Sequence, residues 1–114
     1  MHELSIALSI LEFAEEEGAR RGEPVAAVYI RLGSLSGVNQ RALSSAFDLA
    51  REATALSNCR LEIEEVPAAI HCGACSEDQI VDPAGGLLCP RCHAPARNLI
   101  RGKELQVIAL EMLS

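Results

Sequence analysis

Aromatic residues are almost missing from this chain: they make up 3 % of its 114 residues, and tryptophan is absent altogether. A core built without large rings has to be aliphatic, made of Leu, Ile, Val and Ala, and the 49 % apolar content is enough to build one. Nowhere does an apolar run approach the roughly 18 residues of a membrane span, so no membrane partner is expected. Positive charge is scarce too, with 10 Lys and Arg against 16 Asp and Glu and a net charge of −6. Phosphate backbones select a surplus of Lys and Arg, so no nucleic-acid partner is expected, although Arg91, Arg97, Arg101 and Lys103 lie close in sequence. The start lacks the basic residues and apolar stretch of a secretory signal, and Glu3 puts an acid where Lys or Arg would stand. The expected location is therefore cytoplasmic, a reducing compartment where paired cysteines serve as metal ligands or redox centres rather than structural disulfides.

What is present falls into patterned segments. Residues 4–21 read as a helix, because Leu4, Ala7, Leu8, Leu11 and Ala14 recur at helical spacing, with Ile6, Ile10 and Phe13 widening the apolar stripe. Gly18, Gly22 and Pro24 mark its exit. Residues 25–33 alternate as a strand, and Asn39 stands as an N-cap before a second helix over 40–56 with Leu43, Ala46, Phe47 and Ala50 on one face. Residues 59–67 read as a strand with Cys59, Leu61 and Ile63 inward and Arg60, Glu62 and Glu64 outward; Pro67 favours a bend or a sheet edge. Cys59 on that apolar face reads as a small core hydrophobe. In residues 68–98 Gly, Pro and Cys cluster, helical periodicity is lost, and apolar residues are too few for a core, so a metal must replace one. Residues 104–113 return to a strand. The expected class is α+β: two helices over a small three-stranded sheet, with an inserted zinc-ribbon subdomain. The expected boundaries are 1–67 with 102–114 for the α/β domain, and 68–101 for the zinc-binding domain.

Two Cys-x-x-Cys pairs, Cys72/Cys75 and Cys89/Cys92, lie 13 residues apart. Each pair can direct two sulfurs at one ion, and four thiolates complete the tetrahedral shell of a structural Zn(II). A site closed in this way leaves no position for water, so hydrolytic chemistry, and an enzyme, are not expected. His71 and His93 abut the knuckles; His71 reads as a solvated neighbour, while His93 reads as a solvated neighbour, as a ligand that exchanges with a cysteine, or as a charge that tunes the site.

Met1-His2-Glu3 is a motif of another kind. A free α-amine, deprotonated backbone amides and an imidazole can surround a metal in one plane, the arrangement that Ni(II) and Cu(II) favour. The amine pKa of roughly 7.7–8.0 lets it be freed near neutral pH. Glu3 offers either an oxygen ligand or a negative charge at the positive end of a helix.

The whole chain resembles the HypA/HybF family of hydrogenase nickel-incorporation accessory proteins. The resemblance runs through Met1-His2-Glu3-Leu4, Leu32-Gly33-Ser34-Leu35-Ser36-Gly37-Val38, Ala46-Phe47-Asp48-Leu49, the two knuckles and Gly102-Lys103-Glu104-Leu105, in order over nearly the full length. It implies a nickel metallochaperone that binds transported Ni(II) at Met1, His2 and Glu3 and holds structural Zn(II) at Cys72, Cys75, Cys89 and Cys92. It also implies two partners, a nickel-binding GTPase accessory protein and the large subunit of NiFe-hydrogenase. Some relatives carry a His close behind each knuckle. Here Cys92-His93 fits, whereas Cys75 is followed by Ser76-Glu77-Asp78, which weighs against a histidine-based pH switch. Two other functions stand beside this one: a zinc-ribbon docking module without nickel transfer, and a thiol oxidoreductase using Cys72 and Cys75.

Overall fold

The computed structural model describes residues 2–96 and 98–113. Met1 and Arg97 therefore lie outside the described residues. Helix α1 spans Glu3–Arg21, strand β1 Val25–Gly33, helix α2 Gln40–Arg51 and strand β2 Arg60–Val66. Three short strands follow, β3 at Ala69–Cys72, β4 at Glu77–Ile80 and β5 at Asn98–Arg101, and then β6 at Leu105–Met112. The strands form two three-stranded sheets, ordered β2-β1-β6 and β4-β3-β5. The chain divides into two compact units. The first comprises Met1–Arg31, Val38–Glu64 and Gln106–Ser114, and the second Leu32–Gly37 and Glu65–Leu105.

In the first unit, α1 and α2 lie on one face of the sheet over a single core. That core is Ala7, Ile10, Leu11, Ala14, Val25, Val28, Ile30, Leu43, Phe47, Leu56 and Cys59, with Leu61, Ile63, Leu110 and Met112 packed against it. It is aliphatic except for the thiol of Cys59 and for Phe47, which is fully buried. The buried stripe of α1 is Ala7, Ile10, Leu11, Ala14 and Gly18, narrower than the one expected: Leu4, Leu8 and Phe13 are 49 %, 50 % and 40 % exposed. Small residues at 7, 14 and 18 let the helix approach its neighbours closely, and the longer leucines on the flank are left outside. The face expected of α2 is the one that packs: Leu43 and Phe47 are buried, while Ala46 and Ala50 are half-buried.

Helix ends follow local chemistry. The Asn39 side chain accepts the Ala42 N–H at 2.8 Å and caps α2. That helix ends at Arg51, not at residue 56. The Thr54 hydroxyl donates to the Arg51 carbonyl at 2.8 Å and accepts the Leu56 N–H at 3.0 Å, which replaces the helical ladder by turns. Gly22 closes α1 in the left-handed region, φ 76°. The outer face of the sheet is polar. Arg31 pairs with Glu64 at 3.1 Å, and Arg60 reaches Glu62 and Glu111, each at 3.4 Å. The Tyr29 hydroxyl donates to Glu111 at 2.9 Å.

The second unit contains structure that periodicity alone could not reveal. Residues 68–98 were expected to lack a core, yet Ala68, Ile70, Cys72, Val81 and Cys89 are buried together, with Leu35, Cys75, Ala96 and Leu99 against them. Strands of four residues are too short to display an alternation. Pairing makes them legible: β3 runs antiparallel to both β4 and β5. The loop after β1 joins this unit through main-chain bonds. Gly33 N–H donates to Glu104 O at 2.8 Å, Ser34 N–H to Val66 O at 3.0 Å and Leu35 N–H to Gly102 O at 2.6 Å. The Ser34 hydroxyl accepts the Ala68 N–H at 3.0 Å.

Contact at this crossing is so close that a Cβ on Gly33 would stand 2.2 Å from the Gly102 carbonyl carbon and oxygen. Gly33→Ala is expected to destabilise the chain by about 3 kcal/mol or more, because both colliding atoms are backbone. Urea denaturation of the zinc-loaded chain measures it, and a loss under about 1 kcal/mol would show that the crossing can widen.

Candidate metal centre

The first knuckle is the turn of a hairpin. Cys72 ends β3 opposite Glu77, the first residue of β4, so Gly73 to Ser76 make the connection. The Cys75 N–H points at the Cys72 sulfur at 3.4 Å. The second knuckle lies in the loop closed by the Leu88–Pro95 bridge. There the Cys89 carbonyl accepts the His93 N–H at 2.8 Å, and the Cys89 N–H donates to Ala94 O at 2.9 Å. The residue after each second cysteine turns into the left-handed region, Ser76 at φ 55° and His93 at φ 64°. The two knuckles are thus built alike, and in both the chain reverses directly after its second sulfur.

Together they bring the four sulfurs within 4.8 Å of one another, and among the described residues no other His, Cys, Asp or Glu joins the group. The Cys72–Cys92 pair stands at 3.5 Å and the Cys75–Cys89 pair at 3.9 Å. A regular tetrahedron with Zn–S bonds of about 2.3 Å has edges of about 3.8 Å, so the donor set fits zinc. Without a cation the sulfurs conflict. The Cys92 sulfur beside it is the main cause that pushes the Cys75 thiol up to about 12, while the Cys92 and Arg91 amides hold Cys89 down at about 7. One divalent ion at the centre lets all four ionise.

A dithiol catalyst places its first cysteine at a helix N-terminus, where the dipole lowers the thiol pKa. Cys72 instead ends a strand, and the neighbouring Cys92 sulfur pushes the Cys75 thiol up rather than down. Burial pushes the Cys59 thiol up as well, in keeping with a core residue. Of the neighbouring histidines, His71 Nδ1 lies 2.9 Å from Asp78 across the hairpin, and His93 is exposed on its turn. Of the four basic residues close in sequence, Arg91 is paired with Glu77.

The second candidate site opens the first unit. His2 is exposed and precedes α1 in an extended conformation, and its carbonyl accepts the Ile6 N–H at 3.2 Å as the first bond of the helix. The Glu3 carboxylate accepts the Asn39 N–H at 3.1 Å. That bond is the main reason its pKa is lowered. Sequence reasoning missed this partner. The signal was the Asn39 cap itself, since a helix start offers free amides to any nearby carboxylate.

Fold and donor set define a class: a small α+β protein whose zinc-ribbon unit accompanies a two-helix, three-stranded unit. A family model described as "Hydrogenase/urease nickel incorporation, metallochaperone, hypA" matches residues 1–112. The chain belongs to the HypA family. It is 45 % identical over 112 residues to the hydrogenase maturation factor HypA of Roseiflexus sp., covering 97 % of this chain and 91 % of that one. To the HypA of Chloroflexus aggregans it is 42 % identical, covering 97 % and 98 %. The solution structure of the Ni metallochaperone HypA from Helicobacter pylori superposes with a TM-score of 0.65 at 25 % identity over 100 % of this chain and 99 % of that one. A further HypA solution structure gives a TM-score of 0.70 at 25 % identity, covering 99 % and 97 %. Among the described residues, no helix is long and apolar enough to cross a membrane.

Cys92→Ser is expected to lower zinc content from one ion per chain and to unfold the β4-β3-β5 sheet while leaving the helical signal of α1 and α2. A three-thiolate site lacks the fourth ligand that replaces a larger core. Metal analysis with far-UV circular dichroism checks this; full zinc retention in the variant would remove Cys92 from the ligand set.

Proposed function

We propose that the chain is a nickel carrier for hydrogenase maturation, with no catalytic step of its own. It would take Ni(II) at Met1, His2 and Glu3 and hold a structural Zn(II) at Cys72, Cys75, Cys89 and Cys92. The observation that carries the nickel assignment is the position of the first intrahelical bond. It runs from Ile6 to His2, so the amides of His2 and Glu3 lie ahead of the helical ladder. Deprotonating them to bind metal breaks no helical hydrogen bond. The positive end of α1 also favours the negative nitrogens that result. Met1 lies outside the described residues; its amine would complete the planar nitrogen set with the His2 imidazole.

Glu3 acts through its backbone in this reading. Its carboxylate is engaged by Asn39 and would hold the start of α1 against the start of α2. An open site at a chain end suits transfer, because a recipient can approach from several sides. The closed thiolate site suits permanence. The partners that fit this role are the nickel-binding GTPase accessory protein and the large subunit of NiFe-hydrogenase, in the cytoplasm. The family description covers hydrogenase and urease, and the relatives named above are hydrogenase maturation factors.

Isothermal titration of the zinc-loaded chain with Ni(II) tests the assignment. One nickel per chain is expected, with the d–d absorption of a planar nitrogen set. His2→Ala and a short N-terminal extension should each weaken it at least tenfold, about 1.4 kcal/mol, at unchanged zinc content. Unchanged affinity in both variants would overturn the nickel site. Glu3→Gln, which keeps an acceptor for Asn39, should bind nickel nearly as well as the native chain. A large loss in Glu3→Gln would instead make the carboxylate a ligand.

A further inference from the structure

Along the outer flank of α1 two grooves meet. The first, of about 380 Å³, is lined by Leu8, Leu11, Glu12, Glu15, Glu16 and Thr54. The second, of about 350 Å³, shares Glu15 and continues past Ala14, Gly18 and Ala19 to Leu56. Both lie in the first unit, between α1 and the turns that follow α2. Their floor is aliphatic. Leu8 is half exposed there, and Leu4, equally exposed and one turn earlier, extends the same row toward His2. Positions 4, 8, 12, 15 and 19 follow one another at steps of three or four, so they form a single strip on the helix surface.

The charge on this strip is uncompensated. On the outer face of the sheet, carboxylates have arginine partners: Glu64 meets Arg31, and Glu62 and Glu111 meet Arg60. Within α1, Glu17 meets Arg20 and Arg21. Glu12, Glu15 and Glu16 form no ion pair among the described residues. All three are exposed. Like charges three or four residues apart repel one another and weaken the helix that carries them. A cation placed over the groove relieves that repulsion.

We infer that this groove docks a cationic amphipathic helix of a partner protein, its aliphatic row in the channel and its Lys or Arg side chains against Glu12, Glu15 and Glu16. Charge complementarity selects this occupant. A second copy of this chain carries a net charge of −6 to the same surface, and a nucleic acid is repelled for the same reason. Length agrees as well. From Leu4 to Ala19 the helix rises about 22 Å, which matches an incoming helix of about four turns. Apolar anchors at helical spacing with a charged margin are the basis of helix-in-groove recognition. A partner seated along this row reaches the first turn after His2. The inference therefore rests on the carrier reading for its purpose but not for its chemistry, since binding here needs no nickel.

Fluorescence anisotropy tests it, with a labelled Leu/Lys peptide of about 14 residues whose leucines share one helical face. The full zinc-loaded chain is titrated in without nickel. A dissociation constant of about 1–100 µM at low salt is expected, and binding should weaken at least tenfold from about 50 to 500 mM NaCl. A peptide of the same composition with its leucines scattered around the helix should bind at least fivefold more weakly. Glu12→Lys with Glu15→Lys should weaken binding at least tenfold at unchanged circular dichroism, and Leu8→Gln about fivefold. Glu62→Lys with Glu64→Lys makes the same change in net charge on the sheet face and should bind as the native chain does. Equal loss in the two double variants, or equal binding of the scattered peptide, overturns the inference, because attraction then follows net charge alone. A native chain that binds neither peptide, or whose groove is closed by a second copy, overturns it too. Nickel titration of the same samples keeps the two readings apart: a native chain that binds the peptide at this groove but no nickel supports the groove and removes the carrier.

Discussion

At Gly33 and Gly102 two stretches of main chain pass with no room for a side chain between them, and the second unit depends on that contact. The loop after β1 hydrogen-bonds there with the segment between β2 and β3 and with the one between β5 and β6. The entry and exit of the metal-binding segment are thereby held together. A loop whose ends are fixed loses less entropy when its sulfurs converge. The resemblance motifs around Gly33 and Gly102, remote in sequence, are adjacent for this reason. Gly102, at φ 129° and against Ala68, has a second reason to be glycine.

The two candidate metal sites differ in what the protein supplies. Around the cysteines it supplies everything: four donors, amides directed at sulfur, and paired turns that fix the spacing. The apolar cluster of the second unit is small, and two of the four clustered cysteines, Cys72 and Cys89, are part of it. Candidate ligands and core are one object there. At the start of α1 the protein supplies little beyond an exposed imidazole and a helix end anchored by Glu3 and Asn39. One arrangement is suited to retaining an ion and the other to releasing one.

The sheet of the first unit divides its faces in the usual way, an aliphatic side toward the helices and a charged side outward. The helix layer treats charge differently. Carboxylates on the sheet face have arginine partners, whereas among the described residues Glu12, Glu15 and Glu16 of α1 have none, a difference in sequence that matters only once folding sets them beside an apolar groove.

By itself the sequence determined the two helices, the three long strands, the cap at Asn39 and the four sulfurs of the ribbon. Each of these is written in local spacing: a period of 3.6 or 2, a capping residue, or two cysteines three apart. Tertiary structure alone decided the rest. Small residues on α1 set its depth, and so turned Leu4 and Leu8 outward. The short strands β3, β4 and β5 exist through their partners and not through any pattern of their own. Glu3 found Asn39, 36 residues away, because the two helix starts were brought together. Periodicity reports what a residue does to its neighbours in the chain; it carries no record of which distant backbone will come within reach.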